Sequence, residues 1–156
     1  MTRASVAAST SSRSSKSNDM VLVCGIGNIW RSDDGAGVRA AELLKDSFDV
    51  IICDVSPEQY VEDICRRRPK KLLILDAAHF DGEPGEFRIL DPSEIDNFTI
   101  STHMIPISLF VELVKPCCEE IVIYGIQVKD VHFGNQLSDE VESGVQKLVR
   151  HLKETN

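Results

Sequence analysis

The 156-residue chain has no apolar run of the roughly 18–20 residues that a membrane-spanning helix needs. Positive charge is also scarce, because 17 Lys and Arg residues stand against 25 Asp and Glu residues and give a formal net charge of −8. This balance argues against nucleic acid or an anionic membrane as the main partner. The five cysteines contain no CxxC pair. A metal or redox site at Cys117 and Cys118 is therefore disfavoured, and a reducing cytoplasm is the simplest interpretation.

The first 18 residues are Ser-rich and basic, and they lack the continuous apolar segment of a secretory signal. We predict that residues 1–19 are a disordered extension and that residues 20–156 form a single domain. The length allows one ordinary domain, and a hydrophobic content of 42% is sufficient for a core.

Short apolar runs alternate with helical patterns along the rest of the chain. Strands are predicted at residues 21–26, 49–54, 71–76, 86–90 and 121–126. Helices are predicted at residues 34–46, around 60–65, and at 104–115 and 138–152. This alternation indicates an α/β fold, namely a three-layer sandwich with a mostly parallel sheet, one antiparallel strand at 86–90 and helices on both faces.

Three polar side chains are predicted to meet at one edge of this sheet. Asp34 follows the first strand, Asp76 ends the third, and His103 stands at the start of a crossover helix. Ligands bind outside the carboxyl ends of the strands in open α/β sheets. Two carboxylates and one imidazole leave coordination positions open and suit zinc, nickel or manganese.

Each of the three residues also has a purely structural interpretation. Asp34 can cap its helix, Asp76 can belong to a turn, and His103 can be a bystander of the helix start beside Ser101 and Thr102. The functional hypothesis therefore depends on their convergence and not on any one residue.

The glycine-rich turn after the first strand also suggests dinucleotide binding, but the fingerprint is incomplete. Trp30 occupies the third glycine position of GxGxxG, where a large side chain prevents close helix–strand packing. Asp33 and Asp34 put negative charge where a pyrophosphate would bind, and no Walker lysine is present. Nucleotide binding is the weaker interpretation.

Five sequence blocks, in this order, resemble those of the hydrogenase maturation proteases. They are GIGNxxRxDDGAG (residues 25–37), LLILDAA (72–78), PGEFRILDP (84–92), STHMIPI (101–107) and YGIQ (124–127). The resemblance covers about residues 21–149. One departure is Val128, where some relatives have proline, and it bears on the neighbouring loop and on substrate choice.

The resemblance implies an endopeptidase that removes the C-terminal extension of a nickel-loaded hydrogenase large-subunit precursor. It assigns the catalytic and metal-contacting roles to Asp34, Asp76 and His103. The nickel would arrive with the precursor, although other divalent metals fit the same ligands. Whether the mechanism is metal-linked or aspartic stays open. A nickel-sensing or nickel-escorting chaperone without peptidase activity is the alternative.

Overall fold

The computed structural model describes residues 19–98 and 105–156. Its strands are β1 (Val21–Ile26), β2 (Asp49–Asp54), β3 (Lys71–Ala78), β4 (Phe87–Leu90) and β5 (Glu120–Gln127). Its α-helices are α1 (Ala36–Leu43), α2 (Val61–Arg67), α3 (Ile107–Val114) and α4 (Asp139–Thr155). Short 3-10 helices cover Ser32–Gly35, Pro57–Tyr60, Ile95–Asn97 and Lys115–Cys117.

The strands form one five-stranded sheet in the order β2-β1-β3-β5-β4. β1 pairs in parallel with β2 and β3, and β3 pairs in parallel with β5. Among the strands of the described residues, β4 alone runs antiparallel, on the outer side of β5. The predicted α/β sandwich, including its antiparallel strand, is confirmed.

Two apolar layers cover the two faces of the sheet because successive strand residues point to opposite sides. Leu22, Cys24, Leu72 and Ile74 pack on one side with residues of α2 and α3, among them Ile64 and Phe110. Val23, Leu73 and Leu75 pack on the other side with residues of α1 and α4, among them Ala40, Val145 and Leu148. Every strand of the sheet centre is therefore buried from both sides, as its apolar run predicted.

The helix predicted at residues 34–46 is shorter than expected. It divides into the 3-10 turn Ser32–Gly35 and helix α1, which ends at Leu43. The Asp33 N–H donates to the Asp130 carbonyl at 2.9 Å, so the turn is held by another loop and not by an α-helical ladder. The predicted helix at 104–115 is observed as α3, and residue 104 lies outside the described residues.

Cys65 and Cys117 form a disulfide that the sequence did not indicate, with Cα atoms 4.9 Å apart. The bond runs against the reducing compartment that was inferred from the cysteine spacing, because disulfides are rare in the cytosol. The bond joins the last turn of α2 to the 3-10 turn after α3. The remaining cysteines, Cys24, Cys53 and Cys118, are free thiols. Within residues 19–98 and 105–156, no helix is both long and apolar enough to cross a membrane. The predicted extension lies outside this part of the chain, except for residue 19.

Candidate functional site

The turn that carries Asp34 is packed directly against the end of β1. Gly27 adopts a φ of +145°, and a Cβ at this position would overlap the carbonyl oxygen of Asp34. The Gly27 N–H donates to the Asp54 carbonyl at 2.8 Å, which fixes the exit of β1 to that of β2. A side chain at residue 27 would push the Asp34 turn away, so glycine sets the position of this carboxylate.

A second glycine brings the same segment to the end of β3. At Gly37, in the first turn of α1, a Cβ would overlap the carbonyl oxygens of Ile26 and Leu75. Leu75 immediately precedes Asp76 in β3. Asp34 and Asp76 thus belong to segments in direct backbone contact at the carboxyl edge of the sheet. Both side chains are only 1% exposed.

Asp76 lies on the α2–α3 side of the sheet. It is two residues from both Ile74 and Ala78 of that core layer, and strand residues two apart face the same side. His103, the third predicted site residue, lies in residues 99–104, outside the described residues. The chain before that segment is close to the end of β3, since the Phe98 carbonyl accepts the His79 N–H at 2.8 Å. The structure thus brings Asp34 and Asp76 to one edge, and the place of His103 stays a prediction.

Asp33 has a structural role that sequence reasoning missed. Its side chain is fully buried. The carboxylate accepts the backbone N–H groups of Lys129 and Asp130 at 2.9 Å and that of Ser138 at 2.7 Å. It therefore joins the turn that carries Asp34 to the loop between β5 and α4. The sequence signal for this role was the pair of adjacent aspartates. Asp34 was assigned to the site, whereas Asp33 was considered only as a negative charge that disfavours a bound pyrophosphate.

Gln127 is a second residue whose role was missed, although the YGIQ block contains it. Its buried amide oxygen accepts the N–H groups of Phe80 at 2.9 Å and Gly82 at 3.1 Å. Its amide nitrogen lies 3.0 Å from Nδ1 of His79. The two N–H donors fix the amide orientation, so the amide nitrogen faces Nδ1 of His79 as a donor. Gln127 thereby shapes the turn that follows Asp76.

The loop joined to Asp33 also carries a fixed pattern of charge. Lys129 Nζ donates to the Glu140 carboxylate at 2.7 Å, and this bond raises the pKa of Lys129. The pKa of Asp130 is lowered, first by the backbone N–H of His132 and then by its ring. Lys129 and Asp130 therefore stay charged at neutral pH.

In the described part of the chain, no group of three or more His, Cys, Asp or Glu side chains is arranged to hold a metal ion. Asp34 and Asp76 supply two carboxylates, and the predicted third ligand, His103, lies outside the described residues.

The family model for hydrogenase maturation proteases matches residues 38–154. The chain belongs to the hydrogenase maturation protease family. The Hydrogenase 3 maturation protease of Escherichia coli K12 is 33% identical over 138 residues, which cover 85% of this chain and 88% of that protein.

Solved structures of hydrogenase maturation proteases have the same fold. The endopeptidase HycI from Escherichia coli is 29% identical, with a TM-score of 0.79 over 86% of this chain and 90% of that one. The NiFe hydrogenase maturation protease HycI from Thermococcus kodakarensis is 34% identical, with a TM-score of 0.75 over the same shares of the two chains. Residues 76 and 103 fall within the family match, whereas Asp34 lies four residues before its start at residue 38.

Proposed function

We propose that the protein removes the C-terminal extension from a nickel-loaded hydrogenase large-subunit precursor. Membership of the protease family supports the reaction class, and a relative named Hydrogenase 3 maturation protease supports the substrate class. The nickel is part of the substrate in this proposal and is not a resident cofactor of the protease.

The observation that carries the proposal is the meeting of the Asp34 turn with the end of β3 at Leu75 and Asp76. Gly27 and Gly37 enforce the approach, because a side chain at either position would overlap backbone atoms. Burial strengthens the attraction between a carboxylate and a cation, since little water screens the charges. These features support Asp34 and Asp76 as contacts of the nickel in the precursor, and the proposal takes His103 as the third contact.

Peptide hydrolysis needs an activated water molecule and a stabilised charge on the scissile carbonyl oxygen. A metal can polarise the carbonyl or lower the pKa of a bound water. A carboxylate can instead accept a proton from the water as a general base. Asp34 and Asp76 serve either route, as contacts of the nickel or as the base.

The test is to mix the protein with nickel-loaded and nickel-free precursor and to measure the mass of the large subunit. We expect a mass loss equal to the C-terminal extension with nickel and none without it. Transfer of nickel at unchanged mass would instead support an escort chaperone. Cutting of nickel-free precursor at the same rate would refute the role of the nickel.

Variants of the two carboxylates separate the chemical routes. If both contact the nickel, Asp34→Asn and Asp76→Asn each weaken binding of the nickel-loaded precursor and leave binding of the nickel-free form unchanged. If one is a general base of an aspartic-type mechanism, its asparagine variant loses kcat and still binds the loaded precursor. Binding assays and single-turnover cleavage on the same variants distinguish the two patterns.

A further inference from the structure

Two exposed aromatic side chains lie on neighbouring loops at the carboxyl edge of the sheet. Trp30 is 56% exposed and Phe133 is 88% exposed. The Gly134 N–H donates to the Trp30 carbonyl at 2.9 Å, which holds the two loops side by side. We call residues 28–32 and 131–134 the aromatic platform. Large exposed aromatic side chains on adjacent loops are typical of protein-binding surfaces.

Hydrogen bonds hold the backbone of the aromatic platform in one conformation. The Trp30 N–H donates to Oδ1 of Asn28 at 2.9 Å, which shapes the first loop. Ser32 fixes the second loop, with its N–H on the Gly134 carbonyl and its hydroxyl on the His132 carbonyl, both at 2.8 Å. Because the loops are already ordered, a partner that binds Trp30 loses little free energy in ordering them.

An acidic groove of about 640 Å³ begins beside the platform. Its lining includes apolar Ile29, Ile52 and Leu137 and acidic Glu42, Asp54 and Asp139. Ile29 belongs to the platform and also lines the groove, so the two surfaces are continuous.

The groove has more negative than positive charge. Arg39 is paired with Glu142 at 3.2 Å, and Lys45 is paired with Glu42 at 3.1 Å. Neither Asp54 nor Asp139 forms a salt bridge to any residue of the described chain. The groove therefore attracts a cationic segment that also carries apolar side chains.

The aromatic platform is directly connected to the candidate site. The Asp34 N–H donates to the Arg31 carbonyl at 3.0 Å, and Arg31 follows Trp30 in the platform. A protein held by Trp30 and Phe133 would therefore lie against the segment that carries the Asp34 carboxylate.

We propose that the platform and the acidic groove together dock the precursor through a basic, apolar segment of its surface. This inference rests on the proposed function and adds the surface that selects the client protein. Trp30 and Phe133 provide the apolar anchors, and Asp54 and Asp139 select positive charge. The docking residues affect substrate binding and leave the chemical step unchanged.

The test compares a Trp30→Ala/Phe133→Ala double variant with the wild type in cleavage of nickel-loaded precursor. We expect KM to rise by about tenfold or more, with kcat within about twofold, because two anchors are lost and the reacting groups are untouched. Ile89→Ala is the matched control, since Ile89 is 65% exposed on β4, an edge strand of the sheet away from the platform. The control should keep the wild-type KM.

The charge of the groove is tested with an Asp54→Asn/Asp139→Asn double variant. Asp54 has a φ of +51°, and asparagine tolerates this conformation as well as aspartate does. We expect weaker binding of the precursor at low salt and a flatter dependence of binding on salt concentration. An unchanged salt dependence would overturn the role of the groove.

The outcomes also separate this inference from the proposed function. If the wild type does not cleave the precursor, the proposed function fails. If the wild type cleaves and the Trp30/Phe133 variant has an unchanged KM, only the docking surface is refuted. A change of sedimentation coefficient in that variant, with KM unchanged, would show that the platform joins two copies of this chain and would equally refute the proposal.

Discussion

The carboxylate of Asp33 accepts two hydrogen bonds from Ser138, one from the backbone N–H at 2.7 Å and one from the hydroxyl at 3.0 Å. Ser138 is the residue before α4. A single buried side chain therefore ties the turn that carries Asp34 to the start of the last helix. The turn that carries Asp34 is therefore positioned both by this contact and by the close approach that Gly27 and Gly37 allow.

Asp33→Ala should lower the free energy of unfolding by about 3 kcal/mol, because three backbone N–H groups lose their acceptor at roughly 1 kcal/mol each. Urea unfolding followed by circular dichroism measures the loss. Asp33→Asn keeps one acceptor oxygen and should lose less than the alanine variant. A loss below about 1 kcal/mol in Asp33→Ala would show that water replaces the carboxylate and that these hydrogen bonds contribute little to stability.

The Asp33–Asp34 doublet shows what the sequence could and could not predict about the site. Both residues follow an apolar strand, and the strand-end rule places each at the functional edge. The rule does not say which of two adjacent carboxylates faces inward to a neighbouring loop. That loop follows β5, and its hydrogen bonds to Asp33 span 96 and 97 residues of the chain. Long-range contacts of this kind do not appear in local patterns, and Gln127 was missed for the same reason.

Gly37→Ala should destabilise the protein by about 3 kcal/mol, although alanine ordinarily stabilises a helix by up to about 1 kcal/mol relative to glycine. The new Cβ would overlap the carbonyl oxygens of Ile26 and Leu75, and neither backbone atom can move without shifting a central strand. The steric effect therefore exceeds the helix propensity. Thermal and urea unfolding both measure it.

Gly134→Ala is the matched control for this prediction. Its Cβ would meet only the Ser32 hydroxyl at 3.0 Å and the His132 carbonyl at 4.0 Å. We expect a change within about 1 kcal/mol. Equal effects at Gly37 and Gly134 would contradict the proposed close packing of α1 on the sheet.

The strands were easier to predict than the helix ends for a physical reason. β1 was predicted with its observed bounds, because a strand buried on both faces needs an unbroken apolar run. The bounds of the edge strand β2 were also predicted, since its short apolar run lies between Asp49 and Asp54. The end of α1 depends on hydrogen bonds of single residues, such as the Leu44 N–H on the Ala41 carbonyl, and the composition of residues 34–46 does not specify them. The cysteine pairing also depends on tertiary contact, and its sequence separation of 52 gives no local signal.

Reduction of the Cys65–Cys117 disulfide should lower the melting temperature by roughly 10 °C. The chain-entropy model gives about 4 kcal/mol for the separation of 52 residues that the bond closes. A Cys65→Ser/Cys117→Ser variant should melt at the lower temperature with or without dithiothreitol. Cys118→Ser should keep the response to dithiothreitol. A wild type with five alkylatable thiols in denaturant, before reduction, would show that the bond does not form.

Cys118 should resist alkylation at neutral pH although it stands beside the disulfide. Burial raises the pKa of its thiol to about 11, so only about 0.1% is thiolate at pH 8. Iodoacetamide should label it about a hundredfold more slowly than a thiol in a short peptide, and the rate should climb between pH 9 and 11. Mass spectrometry of digests measures the rate, and labelling that levels off near pH 9 would contradict the burial argument.

Asp34→Asn tests whether this residue acts through its charge. Asparagine keeps the shape of the side chain and one acceptor oxygen, so a structural role in the turn Ser32–Gly35 would survive the substitution. Contact with the nickel of the precursor would be lost, because the amide lacks the negative charge that attracts the cation. We therefore expect Asp34→Asn to retain its fold, measured by circular dichroism and melting temperature, and to lose processing of the nickel-loaded precursor by about a hundredfold or more. The matched control is Asp49→Asn, which removes a charge from the exposed start of β2, at the opposite edge of the sheet, and should keep wild-type processing. Full activity in Asp34→Asn would assign Asp34 to the architecture of the turn and remove it from the proposed contacts of the nickel.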